Sequence, residues 1–226
     1  MKITWLGHAA FLIEGESRIL IDPFISGNPM APCKAEEIEC DIICVTHGHG
    51  DHLGDAIPIA KKNSAPIIAI HEIARYAVKH GVEGIGANLG GSVELKGIRF
   101  TMVQAWHSSG IDASGFGFSG GDPAGFIIST QKVLYHAGDT CIFSDMKLIG
   151  ELYKPQISFL PIGDRFTMNP EHAAKAASWI KSDIVIPMHY NTFPPVAQNP
   201  SEFKSLVESL CDSEVVICEV GKAVEV

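Results

Sequence analysis

Residues 41–52 read Asp41-Ile42-Ile43-Cys44-Val45-Thr46-His47-Gly48-His49-Gly50-Asp51-His52: an apolar run passes directly into a loop with four metal-ligating side chains in six positions. The apolar half has the length and composition of a buried strand. The polar half has the form H-x-H-x-D-H, so the candidate ligands sit where that strand breaks into a loop. Neutral imidazole and carboxylate together suit zinc and other borderline divalent ions. Histidine makes up only 10 of the 226 residues, so three of them beside a carboxylate in one short loop point to a metal site rather than a solvated turn.

Upstream, strand patterns at Ile3 to Ile13 and Arg18 to Ile21 flank a turn at Glu14-Gly15-Glu16-Ser17, and Asp22-Pro23-Phe24 opens a Gly/Pro loop reaching about Lys34. The first 45 residues therefore read as antiparallel β. Downstream, the pattern predicts a short helix from Leu53 through Lys62, a buried strand Pro66–Ile70, and a helix over His71–His80 with Gly81 as its C′ residue. Strands are expected at Ser92–Glu94, Arg99–Trp106, Gly125–Thr130 and Lys132–His136. Strand–helix alternation follows, with helices over Phe143–Tyr153, Pro170–Lys181 and Pro200–Leu210. Strands are expected at Ile157–Ile162, Asp183–Met188, Val215–Glu219 and Ala223–Val226. The two halves share a plan, strands first and then alternation, as expected of two sheets with helices on their outer faces in a single domain spanning 1–226. The Gly-rich stretch Ser108–Gly121 has no periodicity, and a loop that long is expected to act as a lid over the site.

Three more candidate ligands stand at strand ends. His107 closes Thr101-Met102-Val103-Gln104-Ala105-Trp106, Asp139 follows Val133-Leu134-Tyr135 in His136-Ala137-Gly138-Asp139-Thr140, and His189 closes Ile184-Val185-Ile186-Pro187-Met188. One histidine at a strand end is ordinarily structural. Three such positions alongside H-x-H-x-D-H read as the other half of a site.

The order His47, His49, Asp51, His52, His107, Asp139, His189 resembles the metallo-β-lactamase superfamily over the full chain. The opening Trp5-Leu6-Gly7-His8-Ala9-Ala10-Phe11 and the segment Ile21-Asp22-Pro23-Phe24 look like its lactonase-like, metal-dependent hydrolase branch. The resemblance implies an α/β (α+β) fold, the four-layer αββα sandwich, with two metals at one edge of the sheets. By that resemblance His47, His49 and His107 hold the first metal, Asp51, His52 and His189 the second, and Asp139 bridges them. Zinc is the expected ion, with manganese or another divalent ion as the alternative; a one-metal version stays open. Two ions close together can share a hydroxide that attacks an ester, lactone or phosphoester while Asp51 orients it or takes its proton.

Departures from relatives narrow the chemistry. Zinc lactamases often carry Cys where Asp139 stands, flavin-linked diiron relatives use H-x-E-x-D where position 49 is His, and tRNA-processing relatives carry a basic arm that is absent here. β-Lactam, redox and tRNA roles are therefore disfavoured. His8 is a candidate for substrate contact. His172, in Asn169-Pro170-Glu171-His172, opens a helix with Asn169 as N-cap and Pro170 at N1, and is a candidate proton donor to a leaving group. Asp22 and Asp164 follow strand ends and could orient ligand histidines. His71, His80 and His136 carry no partner motif. The competing class is a metal-binding or sensing protein of the same fold without turnover.

Composition sets the remaining bounds. Hydrophobic residues make up 46% and charged residues 19%, ordinary for a soluble globular protein that needs no staples. The longest apolar runs, such as Ala65-Pro66-Ile67-Ile68-Ala69-Ile70, fall far short of the roughly 20 residues a membrane span requires. The N-terminus lacks the pattern of a signal peptide, so a cytoplasmic protein is expected. A net charge of −9 with dispersed Lys and Arg excludes nucleic acid as the main partner. A metal-loaded site would be locally positive and would favour a small anionic substrate. The six cysteines show no CxxC pair and read as reduced thiols: Cys44, Cys211 and Cys218 as core filler, and Cys141 packed beneath the Asp139 loop.

Overall fold

A computed structural model describes residues 1–111 and 117–226 of the chain, which divide into two compact units. The first comprises Met1–Leu89, Ser108–Pro123 and Cys218–Val226; the second comprises Gly90–His107 and Ala124–Ile217.

The first unit is built on strands β1 (Lys2–Trp5), β2 (Phe11–Glu14), β3 (Arg18–Ile21), β4 (Ile42–Val45), β5 (Ile67–Ile70) and β6 (Gly84–Ala87). The second opens with β7 (Ser92–Leu95) and β8 (Ile98–Gln104). The chain then returns to the first unit for a short ribbon, β9 (Gly110–Ile111) with β10 (Phe118–Ser119). Strands β11 (Ala124–Ser129), β12 (Val133–His136), β13 (Ile157–Pro161), β14 (Ile184–Met188) and β15 (Glu214–Val215) complete the second unit, and β16 (Ala223–Glu225) closes the sheet of the first. The helices are α1 (Gly50–Leu53), α2 (Ala56–Asn63), α3 (His71–Lys79), α4 (Met146–Tyr153), α5 (Pro170–Ile180) and α6 (Pro200–Leu210).

The sheet orders are β16-β1-β2-β3-β4-β5-β6 and β15-β14-β13-β12-β11-β8-β7. In the first, β16 to β3 pair antiparallel and β3 to β6 parallel. In the second, β7, β8, β11 and β12 pair antiparallel, and β12 to β15 parallel. The expectation that the two halves share a plan is thus met strand for strand. The expectation that the first 45 residues are wholly antiparallel is not: β4 runs parallel to β3, because the connection from Asp22 to Asp41 is long enough to cross back over the sheet.

Parallel strands inside a sheet bury both faces and read as unbroken apolar runs. Ile42–Val45, Ile67–Ile70 and Ile157–Pro161 are buried at every residue. Helix α3 packs on β5 and β6, while α5 packs on β13 and is flanked by α4 and α6. Helix α3 ends at Lys79, with His80 as its C-cap and Gly81 following at φ +77°, as its sequence predicts. Strand β6 was not expected, since Gly84-Ile85-Gly86-Ala87 has little β character. Its glycines answer a packing need: a Cβ on Gly84 would sit 2.1 Å from the Ala74 carbonyl oxygen and one on Gly86 3.2 Å from the His71 Cα. No described helix is long and apolar enough to cross a membrane. Of the expected lid Ser108–Gly121, residues 112–116 lie outside the described residues.

Candidate metal centre

Strand direction decides where the predicted ligands emerge. In the first sheet β2 is antiparallel to both β1 and β3, so β1, β3, β4 and β5 all point the same way. Their C-terminal ends carry His8, Asp22 and the loop Thr46–His52 along one edge. In the second sheet β11 is antiparallel to both β8 and β12, so β8, β12, β13 and β14 also share a direction. Their C-terminal ends carry His107, Asp139 and His189. Sites in α/β sheets form at such edges because backbone groups and loops there are not used up by the sheet.

Three of these residues are non-glycine in the left-handed region: His8 (φ +56°), Asp22 (φ +44°) and His189 (φ +57°). Glycine would adopt this backbone with less strain. A side chain is kept at each turn at a cost of about 1–3 kcal/mol, which the surrounding structure must offset. The side chains supply the reason.

Asp22 is fully buried at the heart of the first unit. Its Oδ1 accepts from the Thr46 amide at 2.8 Å, and its Oδ2 accepts from Thr46 Oγ1 at 2.7 Å and from His52 Nδ1 at 2.8 Å. With its hydroxyl proton committed to Asp22, Thr46 Oγ1 accepts from His47 Nδ1, 3.0 Å away. One carboxylate therefore sets the tautomers of two histidines, His52 directly and His47 through Thr46, and presents Nε2 of each as a ligand. His49 is set the other way round, its Nε2 lying 3.3 Å from Ser108 Oγ, which leaves Nδ1 to bind. The His47 Nε2 to His49 Nδ1 separation is 3.0 Å. Two nitrogens on one tetrahedral zinc, each at about 2.0–2.1 Å, stand roughly 3.3 Å apart. Gly48 separates the two rings because Ile111 passes beneath it: a Cβ there would lie 2.8 Å from Ile111 Cγ1.

His8 is buried, and its Nε2 lies 3.1 Å from Asp51 Oδ2. The sequence suggested that His8 contacts substrate; the structure places it against the Asp51 carboxylate. Ligand atoms of His8, Asp51 and His52 all lie within 4.8 Å of one another, as do those of His47 and His52. Burial, with the negative charge of Asp22 as a lesser cause, pushes the Cys44 thiol well above its ordinary range, so Cys44 contributes packing and no thiolate.

In the second unit Asp139, 3% exposed, is the shared partner. Its Oδ2 lies 3.0 Å from His189 Nε2 and 3.6 Å from His107 Nε2. Thr140 fixes this arrangement: its Oγ1 accepts from the Trp106 amide at 3.0 Å and donates to the Cys141 carbonyl at 2.7 Å. The end of β8 before His107 is thereby tied to the loop that carries Asp139.

Other sequence expectations divide. Asp22 orients a histidine as anticipated. Asp164 does not: it is exposed at φ +67°, in a turn closed by the Thr167 amide donating to the Asp164 carbonyl, and that turn directs the Asp164 carboxylate to solvent. Cys141 is exposed rather than packed beneath the loop. Asn169 caps α5 as predicted, accepting from the His172 amide at 2.8 Å, and the His172 side chain is exposed on the first turn. Thr46, Ser108, Ser109 and Thr140 escaped the sequence reading, because a lone hydroxyl beside a ligand carries no signal until its partner is known. Ser109 Oγ accepts from the Gly48 amide at 3.1 Å.

Comparison with known proteins identifies the family and the fold. The model of the β-lactamase superfamily domain matches residues 17–190. The chain is 56% identical to a UPF0173 metal-dependent hydrolase of Methanosarcina barkeri, covering 100% of this chain and 98% of that one. It is 50% identical to the Thermococcus kodakarensis member, over 100% and 99%. Among solved structures, the metallo hydrolase Igni18 of Ignicoccus hospitalis matches with a TM-score of 0.91 at 40% identity, over 99% of this chain and 97% of that chain. A metallo-β-lactamase fold protein of Bacillus subtilis, 15% identical with a TM-score of 0.73, shares the fold over 98% of each chain. The chain has the metallo-β-lactamase fold and belongs to the UPF0173 metal-dependent hydrolase family of the β-lactamase superfamily.

Proposed function

We propose that the protein hydrolyses a small anionic ester, lactone or phosphoester with two divalent metal ions, zinc before manganese. The observation that carries this reading is the tautomer control in the Thr46–His52 loop: Asp22, Thr46 and Ser108 together commit one nitrogen of His52, His47 and His49 and leave the other for a metal. Partners of this kind ordinarily accompany metal-ligating histidines. In the proposal His47, His49 and His107 hold one ion, Asp51, His52 and His189 the other, and Asp139 serves both. Nitrogen and carboxylate donors without thiolate suit zinc or manganese.

When bound, such ions activate water and polarise a carbonyl or phosphoryl oxygen. The remaining work belongs to the chain. His8 holds the Asp51 carboxylate at 3.1 Å, which orients it to accept a proton from the nucleophile. Exposed on the first turn of α5, His172 can give a proton to the leaving group.

The test is metal analysis of the purified protein alongside hydrolysis of bis(p-nitrophenyl) phosphate and p-nitrophenyl esters by wild type and Asp51→Ala. About two equivalents of metal, with turnover lost in the variant, is the expected result. Tight metal binding without turnover on either class would instead favour a metal-binding or sensing protein, and a protein that binds no metal would remove the site altogether.

A further inference from the structure

The exposed face of α3 and the ribbon β9–β10, all within the first unit, line an open cavity of about 710 Å³, inside the range of small-molecule pockets. Its apolar wall is Ile111, Tyr76 and Phe118, the last 60% exposed. Its cationic wall is Arg75 and Lys79, neighbours at i and i+4 on the exposed side of α3, with His71 and His80 at the two ends of the helix. One carboxylate, Glu72, also lines the cavity, beside Gly121.

Two features separate this cavity from an ordinary solvated helix face. Arg75 forms no ion pair among the described residues, and Lys79 faces an aromatic ring, its Nζ 6.0 Å from the Phe118 centroid, instead of a carboxylate. In a chain of net charge −9, two adjacent cations that form no ion pair among the described residues, with Glu72 the one described carboxylate on the lining, mark a place suited to an anion from outside. A large aromatic left exposed against them marks a place prepared for apolar surface on the same molecule. The ribbon also links the cavity to the H-x-H loop: Ser108 reaches His49, Ser109 holds the Gly48 amide, and Ile111 both underlies Gly48 and lines the cavity.

We propose that this cavity binds a small amphipathic anion, an aryl or acyl group bearing one negatively charged head, with the head at Arg75 and Lys79 and the apolar part against Phe118, Tyr76 and Ile111. As the arm that holds the non-reacting end of a substrate, the cavity rests on the hydrolase reading above; as a binding site it stands on its own lining.

The probe is 1-anilinonaphthalene-8-sulfonate, an aromatic sulfonate whose fluorescence rises on binding, titrated into the full-length protein. The expected result is one site, weakened at least tenfold in the Arg75→Ala, Lys79→Ala double variant, whose changes lie on the helix surface and spare the core. N-phenyl-1-naphthylamine, which has the rings without the charge, should bind more weakly than the sulfonate. Leu148→Ser with Leu152→Ser, two exposed apolar residues of α4, should leave binding unchanged. Equal binding by the double variant, equal binding of the neutral probe, or loss of binding in the leucine variant would each overturn the proposal. If an ester substrate is found, the same double variant should raise KM with kcat unchanged. Probe binding by a protein that hydrolyses nothing would keep the cavity as a site and remove its role as a substrate arm.

Discussion

The two units carry their candidate ligands in opposite ways. In the first, one strand end opens into a single loop, Thr46–His52, that holds four donors, braced by the buried Asp22 carboxylate and by Ser108. In the second, the donors come one at a time from the ends of β8, β12 and β14, gather on Asp139, and are braced by the hydroxyl of Thr140. Both sheets have the same strand directions, an antiparallel half followed by a parallel half, and both place their donors at the C-terminal edge. The difference shows that a shared topology can furnish a cluster of donors either from local sequence or from strands far apart in the chain.

The sharpest way to break this comparison is Asp139→Ala. If the two donor sets act as one centre, losing the shared carboxylate should lower metal content and cut hydrolysis on the order of 10³-fold, measured by metal analysis and initial rates. Retention of two ions would show that each set binds on its own.

A smaller effect tests the bracing. Asp22→Ala strands the Thr46 amide, the Thr46 hydroxyl and His52 in a buried site, and should destabilise the fold by about 2–4 kcal/mol and weaken metal binding roughly 10–100-fold. Thr140→Val removes one hydroxyl bridge and should cost about 1 kcal/mol, with a smaller loss of metal affinity. Urea unfolding and metal titration read both, and equal effects would erase the distinction between a carboxylate brace and a hydroxyl brace.

The smallest effect concerns thiols. Burial raises Cys40 and Cys218, both in the first unit, to about 11, whereas Cys141 in the second unit is exposed. A raised thiol pKa keeps the unreactive protonated form below that pH, so at pH 8 a group with a pKa near 11 is ionised only to about one part in a thousand. Alkylation followed by peptide mass analysis should find Cys141 modified first, with Cys40 and Cys218 following only as pH approaches 11 or the chain unfolds.

Legibility followed chemistry and locality. The H-x-H-x-D-H loop could be read because its donors are adjacent and few other roles need them together. His107, Asp139 and His189 could be read only as a repeated pattern of strand followed by donor, with the family resemblance to connect them. Asp164 shows the limit of that pattern: it too follows a strand, but a left-handed turn carries its carboxylate to solvent. Strand β6 was illegible because its glycines record the closeness of α3 and no strand preference of their own.

By itself the sequence determined which segments must be buried and which donors are available, since apolar runs and imidazole–carboxylate chemistry are properties of residues and their neighbours. Tertiary structure alone decided that β4 lies parallel to β3, that Asp22 through Thr46 and His52 selects which nitrogens face outward, that His8 meets Asp51, and that Arg75 and Lys79 face Phe118 across a cavity. Those outcomes depend on strand direction and on hydrogen bonds between residues up to 43 positions apart, as between His8 and Asp51, and no local pattern encodes such pairings.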